Sequence, residues 1–302
     1  MSLNKKIYKQ KTLVRHYLKK HPKLQKMAST LYLNYCNVAG PFHTLPNFLI
    51  IGFPKCGTTS LYEYLIQHPS IYSASGKEID YFDRLYDRGL SWYRMSFPTN
   101  FTKNYSKTIL KKSFQTGEAT PRYMVHPHAL NRIKIDLPNA KFIVLLRNPI
   151  ERAFSHFTMN QKNDYEYRTF EDALNHEEER VKGRYEKMQK NENYYSWDYD
   201  LYAYLEHGKY VDKLKRWMKI FPKEQFFIIQ SETFSKDPSK IYNQTLEFLG
   251  LPKYNLKNYK RYKQRNYKDK NIDPKLREKL SEYFKPYNDE LYEFLGRKFD
   301  WE

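Results

Sequence analysis

At 302 residues the chain is long enough to bury a sizeable core and fits one large domain or two small ones. It carries 53 Lys and Arg against 34 Asp and Glu, a formal net charge of +19, so an anionic partner is expected: a nucleotide, an acidic polymer or a membrane surface. Two cysteines, Cys36 and Cys56, exclude a disulfide framework and a multi-cysteine zinc site, and no apolar run approaches the length of a membrane span.

Residues 1–46 are basic and weakly amphipathic, and "AGPFHTLP" reads as a connector at their end. The start lacks the apolar core of a signal peptide, so a soluble, cytoplasmic protein is expected, with weak peripheral membrane association through this basic segment. Lysines and tyrosines also abound along the whole chain, as AT-rich codon usage would produce. Charge alone therefore does not make the protein a nucleic-acid binder.

Next comes "FLIIG", an apolar run suited to a buried strand, and "TTSLYEYLIQHP", with Leu61, Tyr64, Leu65 and His68 at helical spacing before Pro69. The turn between them resembles a nucleoside-triphosphate phosphate loop with its lysine displaced. Gly52 and Gly57 keep the glycine spacing and Thr59 fills the hydroxyl position, but Thr58 stands where the lysine belongs and Lys55 sits inside the loop. Strand, glycine-bearing turn and helix together offer free N–H groups and a positive dipole end to an anion.

"KFIVLLR", residues 141–147, is a second strand, followed by a helix from "NPIERAFSHF". "FEDALNHEEERVKGRYEKMQ" and "LYAYLEHGKYVDKLKRWMKIFP" read as helices before a third strand, "QFFIIQ". Asp237 then caps a helix with Pro238 at its first position and Gly250 at its exit. "DPKLREKLSEYFKPYNDELYEFLG" reads as two helices parted by Pro286. The alternation implies an α/β fold, a mostly parallel sheet flanked by helices, with ligands at its carboxyl edge.

Arg147, at the end of its strand, can grip a phosphate with its fork, and Ser155 reaches the same anion if the following helix starts beside the arginine. With the first loop this makes two anion sites at one sheet edge. In this pairing the chain resembles the sulfotransferases that use 3′-phosphoadenosine 5′-phosphosulfate (PAPS), above all the bacterial carbohydrate-type enzymes and the domains that modify heparan sulfate. The resemblance covers roughly residues 47–302, taken as one sulfotransferase domain after an extension at 1–46. It rests on "IIGFPKCGTTSLYEYLIQHP", "KEIDYFD", "RGLSWYRMSFP", "EATPRY", "LLRNPIERAFSHF", "GKYVDKLKRWMKIFP", "LEFLGLP" and "LYEFLGRKFDW".

The resemblance implies a P-loop-like sulfotransferase fold and sulfuryl transfer to an acceptor hydroxyl, on a carbohydrate, leaving the nucleotide product PAP. It implies that Lys55, Gly57, Thr58, Thr59 and Ser60 bind the 5′-phosphosulfate and that Arg147 and Ser155 bind the 3′-phosphate. "KQRNY" partly matches the family's nucleotide-closing motif through Lys263, Arg265 and Tyr267, with Gln264 in place of its glycine. A sulfuryl group carries one negative charge, so no metal is expected. Lys55 would instead meet the charge that appears on the bridging oxygen as the bond breaks.

Glu78 matches the family's base, and a cationic surrounding would keep it ionised; without the family it reads as a surface ion pair. His126, His128 and His156 are rival bases. Several heparan enzymes have a lysine where Ala119 stands, and Glu118 and Arg122 beside it have no role assignable from sequence. Acceptor contacts are expected from residues 159–200, rich in tyrosine and in charges of both signs. The alternatives are a tyrosine-peptide or small-molecule sulfotransferase with the same nucleotide site, a P-loop kinase, which would need lysine at position 58, and a basic nucleic-acid-binding protein. An anionic polysaccharide is the partner expected in place of nucleic acid.

Overall fold

The structure, a computed structural model, describes residues 20–260 and 272–301. Five parallel strands form one sheet: β1 (Phe48–Gly52), β2 (Ile71–Ser73), β3 (Gln115–Ala119), β4 (Lys141–Leu146) and β5 (Phe226–Gln230), in the order β2-β3-β1-β4-β5. All five residues of β1 are buried, as are five of the six in β4. Helices cover both faces, so the central strands β1 and β4 read as continuous apolar runs rather than as alternating ones. The chain leaves β1 toward β2 and β3 on one flank, then returns to β4 and β5 on the other. This reversal opens a crevice at the carboxyl end of β1, between β3 and β4.

Sequence reading finds β1, β4 and β5 but not β2 or β3. β2 is a three-residue edge strand. β3, "QTGEA", lacks an apolar run because polar groups are satisfied inside the sheet. Thr116 donates to the Tyr72 carbonyl at 2.7 Å, and Glu118 is wholly buried among donors. Gly117 is needed for close approach: a Cβ there would lie 2.5 Å from the Phe48 carbonyl oxygen.

Three helical expectations are corrected. The helix after β1 is Thr58–Leu65 and stops before His68, whose Nδ1 accepts from the Ser70 N–H at 3.0 Å. The stretch from Phe170 to Lys190 is three short helices, interrupted at His176 and at Gly183, which has φ of 70°. The next stretch becomes a regular helix only over Tyr210–Met218.

The C-terminal expectation fails in the opposite sense, because Pro274–Leu295 is one helix with Pro286 inside it. An interior proline costs about 3 kcal/mol. Leu276, Leu280, Phe284 and Leu291, on both sides of it, are buried on the core, each worth roughly 1.5–3 kcal/mol. Pro286 itself faces solvent, where a helix that bends around a core can give up a hydrogen bond to water. Packing outweighs propensity.

Candidate active site

The loop Phe53–Gly57 turns sharply at the end of β1. Gly52 has φ of 132°, Lys55 φ of 77° and Gly57 φ of 94°. The left-handed Gly57 lets the chain enter the helix Thr58–Leu65 directly, and the N–H groups of Ser60 and Leu61 are closed on its carbonyl at 3.1 and 3.3 Å. Gly52 is needed for space, since a Cβ would meet the Leu145 carbonyl at 3.1 Å.

Neighbouring strands hold this loop. Arg147 donates to the Lys55 carbonyl at 3.3 Å, and Ser231, just beyond β5, donates to the Cys56 carbonyl at 2.6 Å. Asn148 caps the helix Pro149–Lys162, its side chain accepting from Ile150 N and Glu151 N, while its own N–H donates to Glu232 at 2.9 Å. That cap starts the helix beside Arg147, the condition under which Ser155 reaches the same place. Burial pushes the Cys56 thiol up to about 12 despite nearby Arg152 and Arg147, so it is a packing group rather than a nucleophile.

One cleft of about 620 Å³ lies over this edge, within the usual range for a ligand pocket. Lys55, Gly57, Thr58, Thr59, Ser60, Glu78, Arg147 and Ser155 all line it. Lys263, Arg265 and Tyr267 lie outside the described residues. Lys77, Arg122 and Glu232 also line the cleft; the sequence reading names Arg122 without a role and does not single out Lys77 or Glu232.

Glu78 lies on an irregular segment that lines the same cleft as the loop, at 2.6 Å from Lys77 and 3.7 Å from Arg122. It is therefore both an ion-pair member and a cleft residue. Arg122 also meets Asp80 at 2.6 Å, Asp83 at 3.4 Å and Asp200 at 3.6 Å. Burial opposes its charge, but Asp200, Tyr195, Asp83 and Asp80 hold the guanidinium above its ordinary range.

Beneath this segment, Glu118 accepts from Thr120 at 2.6 Å, Tyr93 at 2.7 Å, Tyr123 at 2.9 Å and the Ile79 N–H at 3.3 Å. Burial pushes its carboxyl up to about 7 against the pull of these four donors. Tyr123 also accepts from the Tyr81 N–H at 3.0 Å, so one buried network holds the chain just after Glu78. Ala119 is buried on the same strand, and its N–H donates to the Lys77 carbonyl at 3.0 Å. A spacing rule cannot find such a network, because it joins Ile79, Tyr93, Glu118 and Tyr123 only through the fold.

None of the three rival histidines lines the cleft. Burial pushes His126 down to about 3, with Arg132, His128 and Arg216 adding to the effect. His156 is buried and held well below its ordinary range by burial, by Arg152 and by Lys55. His128 contacts the Met188 carbonyl through Nε2 at 2.8 Å.

Residues 45–289 match the family described as the sulfotransferase domain. The crystal structure of a sulfotransferase from Alicyclobacillus acidocaldarius is 28% identical, with a TM-score of 0.63, over 85% of this chain and 98% of that one. Membrane-associated sulfotransferase kil1 of Dictyostelium discoideum is 29% identical over 88% of this chain. Human heparan sulfate glucosamine 3-O-sulfotransferase 3B1 is 28% identical over 85%. The chain spans 68% and 65% of these two relatives, about two thirds of their length.

The likeness to kil1 overturns the expectation of a cytoplasmic protein, which rested on a missing span and signal. Among the described residues no helix is long and apolar enough to cross a membrane, but peripheral association needs no such helix.

Proposed function

The chain belongs to the sulfotransferase domain family, and from that premise we propose that it moves the sulfuryl group of PAPS to a carbohydrate hydroxyl, with Lys55 and Glu78 as its catalytic residues. One observation carries the reading: the loop around Lys55, the Arg147–Ser155 pair and Glu78 line a single cleft at the carboxyl edge of the sheet. Residues 47–302 would form the catalytic domain and residues 1–46 an extension.

The cleft suits a nucleotide with two separate anionic groups. Backbone N–H groups at the start of the helix Thr58–Leu65, with Thr58, Thr59 and Ser60, would hold the 5′ end, where a glycine with φ of 94° keeps the backbone close. Arg147 and Ser155 would hold the 3′-phosphate. PAPS supplies an activated sulfuryl group whose departure leaves charge on a phosphate oxygen. Lys55 would stabilise that charge as it develops, a contact strengthened in the transition state. Glu78, across the cleft, would take the acceptor proton, and Lys77 and Arg122 would keep it ionised and aimed inward.

The likeness to a human heparan sulfate enzyme supports a sugar acceptor, as do the tyrosines between residues 159 and 200. Incubation of the full chain with labelled PAPS and a panel of polysaccharides, tyrosine peptides and phenols tests the proposal. Label on polysaccharide hydroxyls is expected. Transfer confined to tyrosine peptides or phenols would overturn the acceptor class.

A further inference from the structure

Outside the cleft lining, two stretches of the chain carry no acidic residues. None of the 34 carboxylates falls in residues 1–46, which hold eight lysines and one arginine, and none falls in residues 88–117. The fold brings these two stretches together. The helix Pro22–Ala39 packs through the buried Cys36 and Gly40 onto the short helix Leu90–Arg94, where a Cβ on Gly40 would lie 2.4 Å from the Ser91 carbonyl oxygen. His43 bridges to Thr99, the Thr44 N–H donates to the Pro98 carbonyl at 2.9 Å, and Asn100 donates to the Pro41 carbonyl at 3.1 Å.

Both stretches expose apolar side chains that a water-facing surface does not need. On the first helix Leu24, Met27, Leu31, Tyr35 and Val38 repeat at steps of three or four, and all are exposed. Phe42 follows, 68% exposed. On the helix Asn100–Thr108 and just after it, Phe101 is 78% exposed and Ile109 65% exposed, with Tyr105 stacked beside Phe101. Lys20, Lys23, Lys26, Lys107, Lys111 and Lys112 are exposed on the same segments.

We infer that this acid-free face, formed by residues 20–42 and 99–112, docks on the surface of an anionic bilayer. Its aromatic and aliphatic side chains would enter the headgroup boundary while its lysines meet lipid phosphates. Charge selects this occupant. A second copy would bring the same acid-free surface against it, so like charges would repel. A nucleic-acid backbone would use the lysines but offer nothing to Leu31, Val38 or Ile109. No residue lining the cleft belongs to this face, so a docked molecule keeps its cleft open.

The test is co-sedimentation of the full chain with vesicles of phosphatidylcholine alone and of phosphatidylcholine mixed with phosphatidylglycerol. Binding is expected only to the mixed vesicles and should weaken with salt. Phe42→Asp combined with Phe101→Asp should lower it about tenfold or more, and charge reversal at Lys23, Lys26 and Lys107 by roughly fivefold per lysine. Both phenylalanines are largely exposed, so the variant is expected to melt like the native chain by circular dichroism. Native-like vesicle binding by the double aspartate variant would overturn the inference. So would failure of the native chain to bind mixed vesicles, or its dimerisation in a form that Phe42→Asp abolishes.

Discussion

The two walls of the cleft are held in different ways. On the wall from Pro54 to Ser60 and across to Arg147, groups are aimed by backbone: two glycines at positive φ, a helix start, and a capped helix beginning beside the arginine. On the facing wall, residues 74–80 form no helix or strand. There Glu78 is held by ion pairs above and by the Glu118 network below. An anion site can be specified within a dozen residues, because orphan N–H groups and a helix dipole are local properties. A general base must face that site from elsewhere in the chain, so its position depends on tertiary contacts.

Substitutions can separate the two walls. The largest effect is expected at Glu78→Gln, which keeps the shape and removes the proton acceptor. Turnover with labelled PAPS should fall by about 10²–10⁴ while PAP still raises the melting temperature as in the native chain. Near-native turnover would remove Glu78 from the role of base. Lys55→Ala should lower kcat by about 10²–10³, more than it lowers PAP affinity, because the contact is strongest in the transition state. Intact turnover at saturating PAPS would show that the loop lysine only binds.

Arg147→Ala should act mainly on binding, with a smaller effect through the lost brace on the Lys55 carbonyl. Loss of a charge-assisted contact of about 1.5–3 kcal/mol weakens PAP by roughly ten- to a hundredfold in calorimetry, with turnover at saturation largely retained. If turnover at saturation fell as far as in Lys55→Ala, the division between the walls would fail.

The smallest effect concerns stability. The Glu118 carboxyl is pushed up to about 7, so the folded chain holds a proton there that the unfolded chain has already released. Stability from this group is therefore full below its unfolded range and is lost as pH rises toward 7. Glu118→Gln should flatten that fall in melting temperature by a few degrees between about pH 5 and 7.5. It should also lower turnover while leaving PAP binding alone, since it loosens the segment that carries Glu78. An unchanged slope would mean that Glu118 does not titrate in this interval.

The same contrast explains what the sequence disclosed. β1 and β4 are legible because they are central parallel strands and apolar throughout, β5 because its edge run "FFIIQ" is apolar as well, and the loop because its glycines obey a spacing. β3 is not, since Thr116, Gly117 and Glu118 are chosen for partners on Tyr72, Phe48 and Ile79 that no local pattern shows. Pro286 misleads because a local cost is outweighed by Leu276, Leu280, Phe284 and Leu291, whose burial depends on the whole fold. Arg122 is legible as a charge but not as the hub of Glu78, Asp80, Asp83 and Asp200.

The strand order also governs how the molecule comes into being. β1 pairs with β3 and β4, so its neighbours are residues 115–119 and 141–146, and the loop beyond it is tied down by Arg147 and Ser231. On the ribosome, the loop of residues 53–57 emerges long before any of these. Its donors stay in water until most of the chain has followed, and the sheet must then close through distant pairings, which makes for slow, cooperative folding. A nascent chain that ends before residue 231 lacks the brace on the Cys56 carbonyl, so its loop is less ordered to receive a nucleotide.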